Sequence, residues 1–483
     1  MGGVSPDGAD GGLPVEADSV GGKETDVEEI NREHPEYRAQ GDVWPKYWDL
    51  YVGGEQMIRN ADRYLVARKN EPGDVYRERL QRAYYENYIG SIIDWYGATL
   101  FRREPVLAFE GGDERGRAFY NEFAEDCDLR GSSLSEFFRR QVVNALVLGK
   151  SYVVVDFPRI GRMATTRAEE DELGMSRAYL CEYPASSLIN WERDEQGELE
   201  WAVLRTERVV QGADGEAGVE RRWIRYDRET FRIYRQVESG VVKGETGLVD
   251  EGRHGLAGQR RVPVFEFSVG EGLWLMNKAA SLQLEHFNKS NGLSWALTNG
   301  LFAMPVVYTD RKFEQLVGDS YYLQLGQDDK FGWTEPEGHV YEIALRNLDR
   351  LKDEIYRVCY LMSQAGGGLS KATAMTGYSK ERDYAITQEV LRGFGDSVKE
   401  TMKRVLKAIV AGREDAIGVD VAGLDEFDIG DFSEELANAE RLLGMGIESG
   451  TLRKQVFKKL AMKFLCDARQ EVKDQIAREI EGD

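Results

Sequence analysis

Leu80, Tyr84, Tyr88, Ile92 and Tyr96 place an apolar or aromatic side chain at every fourth position, the spacing of one face of an α-helix. The stripe predicts one long amphipathic helix that stops before Pro105, because the residue ahead of a proline is steered out of the helical region. A second helix is predicted within DLRGSSLSEFFRRQVVNALVLG, with Ser132 or Ser133 as N-cap and Gly149 at its C-terminal end. From Tyr152 to Phe267 the period shortens. The runs YVVVDF, AYLCEY, LEWAVLRTERVV, RRWIRYD, FRIYRQV and VPVFEF are β-branched and aromatic, and loop chemistry such as DEQGE and GADGEAG separates them. They predict an antiparallel, hairpin-built region without the strand–helix alternation of a parallel sheet.

Helices return at 273–297, with an uneven, polar-rich circumference, and at 341–362. Between them, 300–340 is mixed, with strand-like MPVVYTD and YYLQLG. Ile386, Val390, Phe394, Val398, Met402, Leu406 and Val410 mark a helix of about 45 Å, in which Gly393 and Gly395 invite a bend. Farther on, Asp431 with Glu434 reads as a capping box. Leu452, Val456, Leu460, Phe464, Ala468, Val472, Ile476 and Ile480 then keep one helical stripe. Residues 1–40 open on Gly, Asp, Ser and Pro without period and predict a mobile arm. The uncharged stretch SNGLSWALTNGLFAMPVVYT (290–309) is long enough to cross a bilayer. Its Asn291, Gly292, Asn299, Gly300 and Pro305 predict instead a helix end followed by a buried strand.

Length changes this picture first: 483 residues predict two or more domains. An apolar share of 42% supports a sizeable interior. A formal charge of -22 argues against a protein that coats nucleic acid. It suits a surface that nucleic acid passes without sticking. Cys127, Cys181, Cys359 and Cys466 lie far apart, which predicts buried, reduced thiols rather than a zinc knuckle or disulfide framework. No basic-then-apolar stretch opens the sequence, so no signal peptide is expected.

The segment NALVLGKSYVVVDFP (144–158) imitates the tail of a phosphate-binding loop. Asn144 stands where such a loop needs glycine, and a helix precedes the turn while a strand follows it. Its amides then lie at a helix C-terminus, the wrong end for an anion. GGGLSK (366–371) has neither Walker nor dinucleotide spacing and predicts a mobile loop. His34, His254, His286 and His339 show no metal-ligand pairing, and no cofactor motif is present. The acidic run Asp425, Glu426, Asp428, Asp431, Glu434 and Glu435 lacks the order of a calcium loop. Arg453, Lys454, Lys458, Lys459 and Lys463 form a basic helical face, read as solvated.

The order of these parts resembles the portal proteins of tailed bacteriophages over about residues 31–465. DLRGSSLSEFFRRQVVNALVLGKSYVVVDFP followed by YLCEYPASSLINW carries the most specific likeness. REHPEYRAQGDVWPKYWDLYVGGEQMIRNADRYL, YENYIGSIIDWYGATLFRREPVLAF, SKATAMTGYSKERDYAITQEVL and IESGTLRKQVFKKL extend it. The resemblance implies an α+β portal fold: a mobile arm at 1–40, a wing at 41–270 and a stem helix at 271–299. A clip at 300–340 and a second stem helix at 341–364 follow, then a tunnel loop at 365–378, a long wing helix with linker at 379–429 and a helical crown at 430–483. It implies a ring, usually a dodecamer, at one capsid vertex of the virion, assembled in the host cytoplasm. Double-stranded DNA would enter through it during packaging and leave during ejection. The implied partners are the terminase large subunit, a head–tail adaptor, and the major capsid and scaffolding proteins, with no enzyme activity, cofactor, metal or membrane. Gly366, Gly367, Gly368, Ser370 and Lys371 would line the tunnel and touch DNA transiently. Trp295, Leu297, Phe302 and Met304 would press against neighbouring subunits. Another capsid or adaptor protein, or a metal-dependent hydrolase or nuclease built on the acidic run, are the rival readings.

Overall fold

The computed structural model describes residues 27–111, 114–158, 174–211, 217–238, 247–300, 304–310, 328–334, 338–361, 377–424, 427, 432–465 and 468–482. The architecture is mixed α+β and divides into two compact units.

The first unit draws on the segment ending at Ala39 and on Val155–Ser176 and Ser186–Val264. Strands β1 (Val106–Gly111), β2 (Lys150–Asp156) and β3 (Tyr179–Pro184) lie outside its sheet, which is built of β4 (Leu188–Arg193), β5 (Leu199–Gln211), β6 (Ala217–Asp227), β7 (Thr230–Glu238) and β8 (Gly247–Arg253), a five-stranded meander in chain order. Every neighbouring pair is antiparallel. Ala202, Tyr226 and Phe231 stand in one cross-strand row and are buried, as expected where one face of a sheet is covered. Residues 27–40 are not the arm that composition predicts. Val27, Ile30 and Tyr37 are buried, and α1 (Pro35–Gln40) begins here. Asn31 Oδ1 accepts from Trp223 Nε1 at 3.0 Å and from Arg205 at 2.9 Å. His34 stacks on Trp191 with ring centroids 4.0 Å apart. The signal missed in the sequence is a polar residue used as a partner for a distant indole.

The second unit spans Gln40–Val154, Arg177–Ala185 and the chain from Phe265 onward. Helices α2 (Val43–Val52), α3 (Gly54–Arg59), α4 (Gly73–Gln81) and α5 (Tyr88–Leu100) are followed by β1 (Val106–Gly111), α6 (Glu114–Glu125) and α7 (Leu134–Leu148). Ser133 caps α7 by accepting from the Glu136 amide, and Gly149 ends it in the left-handed region at φ 87°. Strands β2 (Lys150–Asp156), β3 (Tyr179–Pro184) and β9 (Val264–Ser268) form a sheet in the order β3–β2–β9. Then come α8 (Leu275–Gly300), β10 (Met304–Tyr308), β11 (Lys330–Thr334) and α9 (His339–Val358). The unit continues with α10 (Gly377–Arg413), β12 (Ile417–Ala422), α11 (Phe432–Gly444), α12 (Gly450–Phe464) and α13 (Gln470–Glu481). β1 pairs antiparallel with β12, more than 300 residues away, from Val106 opposite Ala422 to Gly111 opposite Ile417.

Two predicted stripes are broken. The single helix through Leu80 and Tyr96 is two helices, because the backbone between Gln81 and Tyr88 finds partners elsewhere. Asn87 caps α5 by accepting from Gly90 N at 2.8 Å, and both main-chain polar groups of Tyr84 are held by the Asn291 side chain at 3.0 Å. The C-terminal stripe likewise splits between α12 and α13, leaving Phe464 70% and Val472 44% exposed. Asp431 of the expected capping box lies outside the described residues.

α10 has 37 residues, about 55 Å. Val390, Phe394, Val398, Met402 and Leu406 are buried as the pattern predicts, whereas Ile386 is exposed. The helix runs unbroken through Gly393 and Gly395. Gly395 is required by close approach rather than by a bend: a Cβ there would collide with the Leu424 carbonyl oxygen. At Gly393 the nearest atom to such a Cβ is Leu273 Cδ1 at 3.6 Å, an ordinary contact. Gly395→Ala is therefore expected to destabilise the chain by about 1–3 kcal/mol through overpacking. Gly393→Ala should leave stability unchanged or raised by up to about 1 kcal/mol. Urea denaturation of the two variants checks the contrast, and equal behaviour would refute it.

Candidate functional site

The uneven polar circumference of α8 has a structural use. Gln283 is fully buried. Its Nε2 donates to Glu86 O at 2.7 Å and its Oε1 accepts from Ile89 N at 3.3 Å, so it supplies an orphan amide of the first turn of α5. Asn288 accepts from Val66 N at 2.8 Å and donates to Tyr64 O at 3.0 Å. Asn291 does the same for Tyr84. Three amides on one helix thus stand in for a neighbouring strand and fix the irregular chain at 64–66 and 84–89. The apolar positions Met276, Ala279, Ala280 and Phe287 complete the buried face.

α8 and α9 pack against one another. Lys289 reaches Asn347 at 3.0 Å, while Lys278 near the start of α8 reaches Tyr360 just beyond α9, so the helices run antiparallel. β10 and β11, paired antiparallel from Met304 opposite Thr334 to Tyr308 opposite Lys330, lie between them in the chain. A cleft of about 510 Å³ lies between the helices and is lined by Tyr84, Tyr88, His286, Leu293, Leu297 and Leu345, among others. His286 is 2% exposed, packs edge-on to Tyr88, and lies 3.4 Å from the Glu86 carboxylate. Burial pushes its pKa below the ordinary value, Glu86 opposes this and Lys352 adds to it.

α9 divides along its length. Leu351 and Ile355 are buried, but Val340 is 65% exposed and Ile343 and Leu345 are each 53% exposed. Tyr308 at the end of β10 is 64% exposed. The start of α9 thus leaves apolar side chains open on more than one side, and the end of β10 adds another. Trp295 and Leu297, predicted interface residues, sit half-buried in this end of α8. Met304 opens β10. Phe302 and the tunnel-loop residues Gly366, Gly367, Gly368, Ser370 and Lys371 lie outside the described residues.

The other sequence candidates resolve differently. At Gly149 the end of α7 is closed by two indoles: Trp44 Nε1 donates to Leu148 O and Trp274 Nε1 to Val147 O, each at 3.0 Å. Trp274 also lies so near Gly149 that a Cβ there would meet its ring at 3.2 Å. The Gly-Lys-Ser turn is a helix terminus sealed by tryptophan. Cys127 and Cys359 are buried and Cys181 is partly so; burial pushes the Cys359 thiol up to about 12. Cys466 lies outside the described residues, as do Asp425, Glu426, Asp428 and Asp431 of the acidic run. Among the described residues no group of three or more His, Cys, Asp or Glu could hold a metal ion, and no helix is long and apolar enough to cross a membrane. The basic face of α12 is partly engaged within the chain, with Lys458 2.6 Å from the Glu481 carboxylate.

No family model matches the chain, and no curated protein matches it. Among solved structures, it is 12% identical to a chain described as "Neck of empty GTA particle computed with C6 symmetry", covering 77% of this chain and 90% of that one, with a TM-score of 0.42. A chain from the "Virion of native gene transfer agent (GTA) particle" is 14% identical over 81% of this chain and 95% of its own, at 0.38. One from the "Neck of native GTA particle computed with C12 symmetry" is 13% identical over 75% and 86%, at 0.34. Likenesses of this size do not establish a shared fold.

Two outcomes follow for the α8 network. Gln283→Met keeps the volume but strands the Ile89 amide and the Glu86 carbonyl, and should cost about 1–3 kcal/mol in urea denaturation. Because the folded pKa of His286 is depressed, the unfolded chain binds more protons once pH drops below about 6.5. Stability therefore falls as pH falls through that point and below it. His286→Gln should make the decline between about pH 7 and pH 5 shallower; an unchanged slope in denaturation midpoints would remove His286 from that account.

Proposed function

We propose that this chain is a portal-type subunit, which closes into a ring at a capsid vertex and forms a conduit for double-stranded DNA during packaging and ejection. The observation that supports it most is the apolar flank of the helix–hairpin–helix segment. Val340, Ile343, Leu345 and Tyr308 are all more than half exposed, and large apolar side chains left open around the start of a helix suit an association site. Its position along an antiparallel helix pair suits a head-to-tail contact with the next copy, the kind of interface that generates rings. In this reading α8 and α9 are the stem, the β10–β11 segment is the clip, α10 is the long wing helix and α11 to α13 belong to the crown. The ring, a dodecamer by the portal resemblance, takes up the terminase large subunit below and later the head–tail adaptor. The major capsid and scaffolding proteins surround the wing. In the same reading Gly366, Gly367, Gly368, Ser370 and Lys371 touch the DNA weakly and transiently.

Charge and chemistry agree with that role. A chain of net charge -22 repels phosphate as a whole, which suits a duplex that slides instead of adhering. The conduit is passive, and energy comes from the motor that docks on it.

The test is the mass of the purified assembly. The wild-type chain should form a closed ring in native mass spectrometry. The pair Ile343→Asp and Leu345→Asp, both at exposed positions, should yield folded monomers, and so should Trp295→Asp. A wild-type chain that stays monomeric at micromolar concentration, or a double variant that still closes into rings, would overturn the reading.

A further inference from the structure

The C-terminal end of α9 is built differently from the rest of that helix. Of its 20 residues only Leu351 and Ile355 are buried, so few of its side chains are anchored in the core. Just beyond it, Cys359 and Leu361 are 0% and 1% exposed. Between them stands Tyr360, in the left-handed region at φ 61°. The turn closes as many helix ends do, with Leu361 N donating to Tyr356 O at 2.9 Å. Glycine takes that conformation freely, whereas a residue with a side chain is strained in it.

The bonds made around Tyr360 offset that strain. Its hydroxyl donates to Gly272 O at 3.0 Å, in the turn that leads into α8, and accepts from Lys278 Nζ at 2.5 Å. The Lys278 ammonium also lies 4.5 Å from the centre of the Tyr360 ring, within the range of a cation–π contact. A helix terminus leaves carbonyls without intrahelical partners, and here other elements supply them. The Tyr96 hydroxyl of α5 donates to Cys359 O at 2.7 Å, and the Thr387 hydroxyl of α10 donates to Tyr360 O at 2.6 Å. Tyr96 and Thr387 are themselves buried.

The outer half of α9 is held more lightly. Lys289 reaches Asn347 through a hydrogen bond at an exposed position. The cleft of about 510 Å³ separates the two helices there, with Leu293 and Leu297 of α8 and Leu345 and Leu348 of α9 in its walls.

We propose that Tyr360 is a latch and α9 a lever. The latch pins the C-terminal end of α9 to α5, α8 and α10 together. The N-terminal half of α9 moves against α8 across the cleft and closes on the facing leucines. α8 stays in place, because Gln283, Asn288 and Asn291 fasten it to the chain at 64–66 and 84–89. The device requires no second copy, so it stands or falls apart from ring formation.

Hydrogen–deuterium exchange of the full-length chain, read by mass spectrometry, tests both parts. In the wild type, amides at 351–358 should exchange more slowly than those at 342–349 by roughly tenfold. Tyr360→Gly separates a latch from a plain helix cap. Glycine would improve a plain cap, and α9 would gain protection. A latch is lost with the ring, so exchange at 351–358 should rise roughly tenfold while α8 at 276–291 is unchanged. Tyr360→Phe removes only the hydroxyl and Thr387→Val only the bond to the carbonyl. Each should raise exchange in α9 by a smaller factor, and these conservative variants carry the test if the glycine variant does not fold. Protection of α9 that rises or holds level in Tyr360→Gly overturns the latch. So does equal loosening of α8, or unchanged exchange in both conservative variants. Uniform exchange along α9 in the wild type overturns the lever.

Discussion

A buried peptide group must find a hydrogen-bond partner, and in the helical unit α8 supplies partners to segments that have no regular structure of their own. Gln283, Asn288 and Asn291 each present a carbonyl and an amino group to one stretch of main chain. In doing so they decide where α5 can begin, where the chain at 64–66 must run, and why the face of α8 cannot be purely apolar. Leaving one such group unpaired costs far more than the net gain from making the bond, so the helix and its irregular neighbours are placed together.

The same constraint acts at the end of α7. A helix terminus leaves carbonyls without intrahelical partners. Here Trp44 and Trp274 donate to two of them from distant points in the sequence. Gly149 both turns the chain and leaves room for the Trp274 ring. What resembles nucleotide-binding chemistry in one dimension is a packing junction in three, and its polar groups are already committed.

Charge is distributed in a way that bulk composition hides. The net value of -22 describes the chain as a whole, yet lysine and arginine side chains of α12 and α13 gather beside the apolar residues of β1. The start of α9 differs, with exposed Val340, Ile343 and Leu345 beside the exposed ion pair of Arg346 and Glu342.

Much of the local structure was legible in the sequence, because it is set by nearest neighbours. The Ser133 cap, the Gly149 terminus, α8, α9, the buried stripe of α10 and the hairpins of β5 to β7 all follow from periodicity and turn chemistry. The half-buried setting of Trp295 and Leu297 and the exposed flank beside them were not, since exposure depends on what the fold leaves uncovered. β4 and the edge strand β8 escaped notice because neither shows clean alternation; main-chain pairing with β5 and β7 makes them strands. The breaks at 82–87 and 465–469, the packing of residues 27–40 and the union of β1 with β12 were decided only by tertiary structure. In each, a backbone or side-chain group takes a partner remote in the chain, and periodicity records which face is apolar but not which distant group will satisfy a peptide bond.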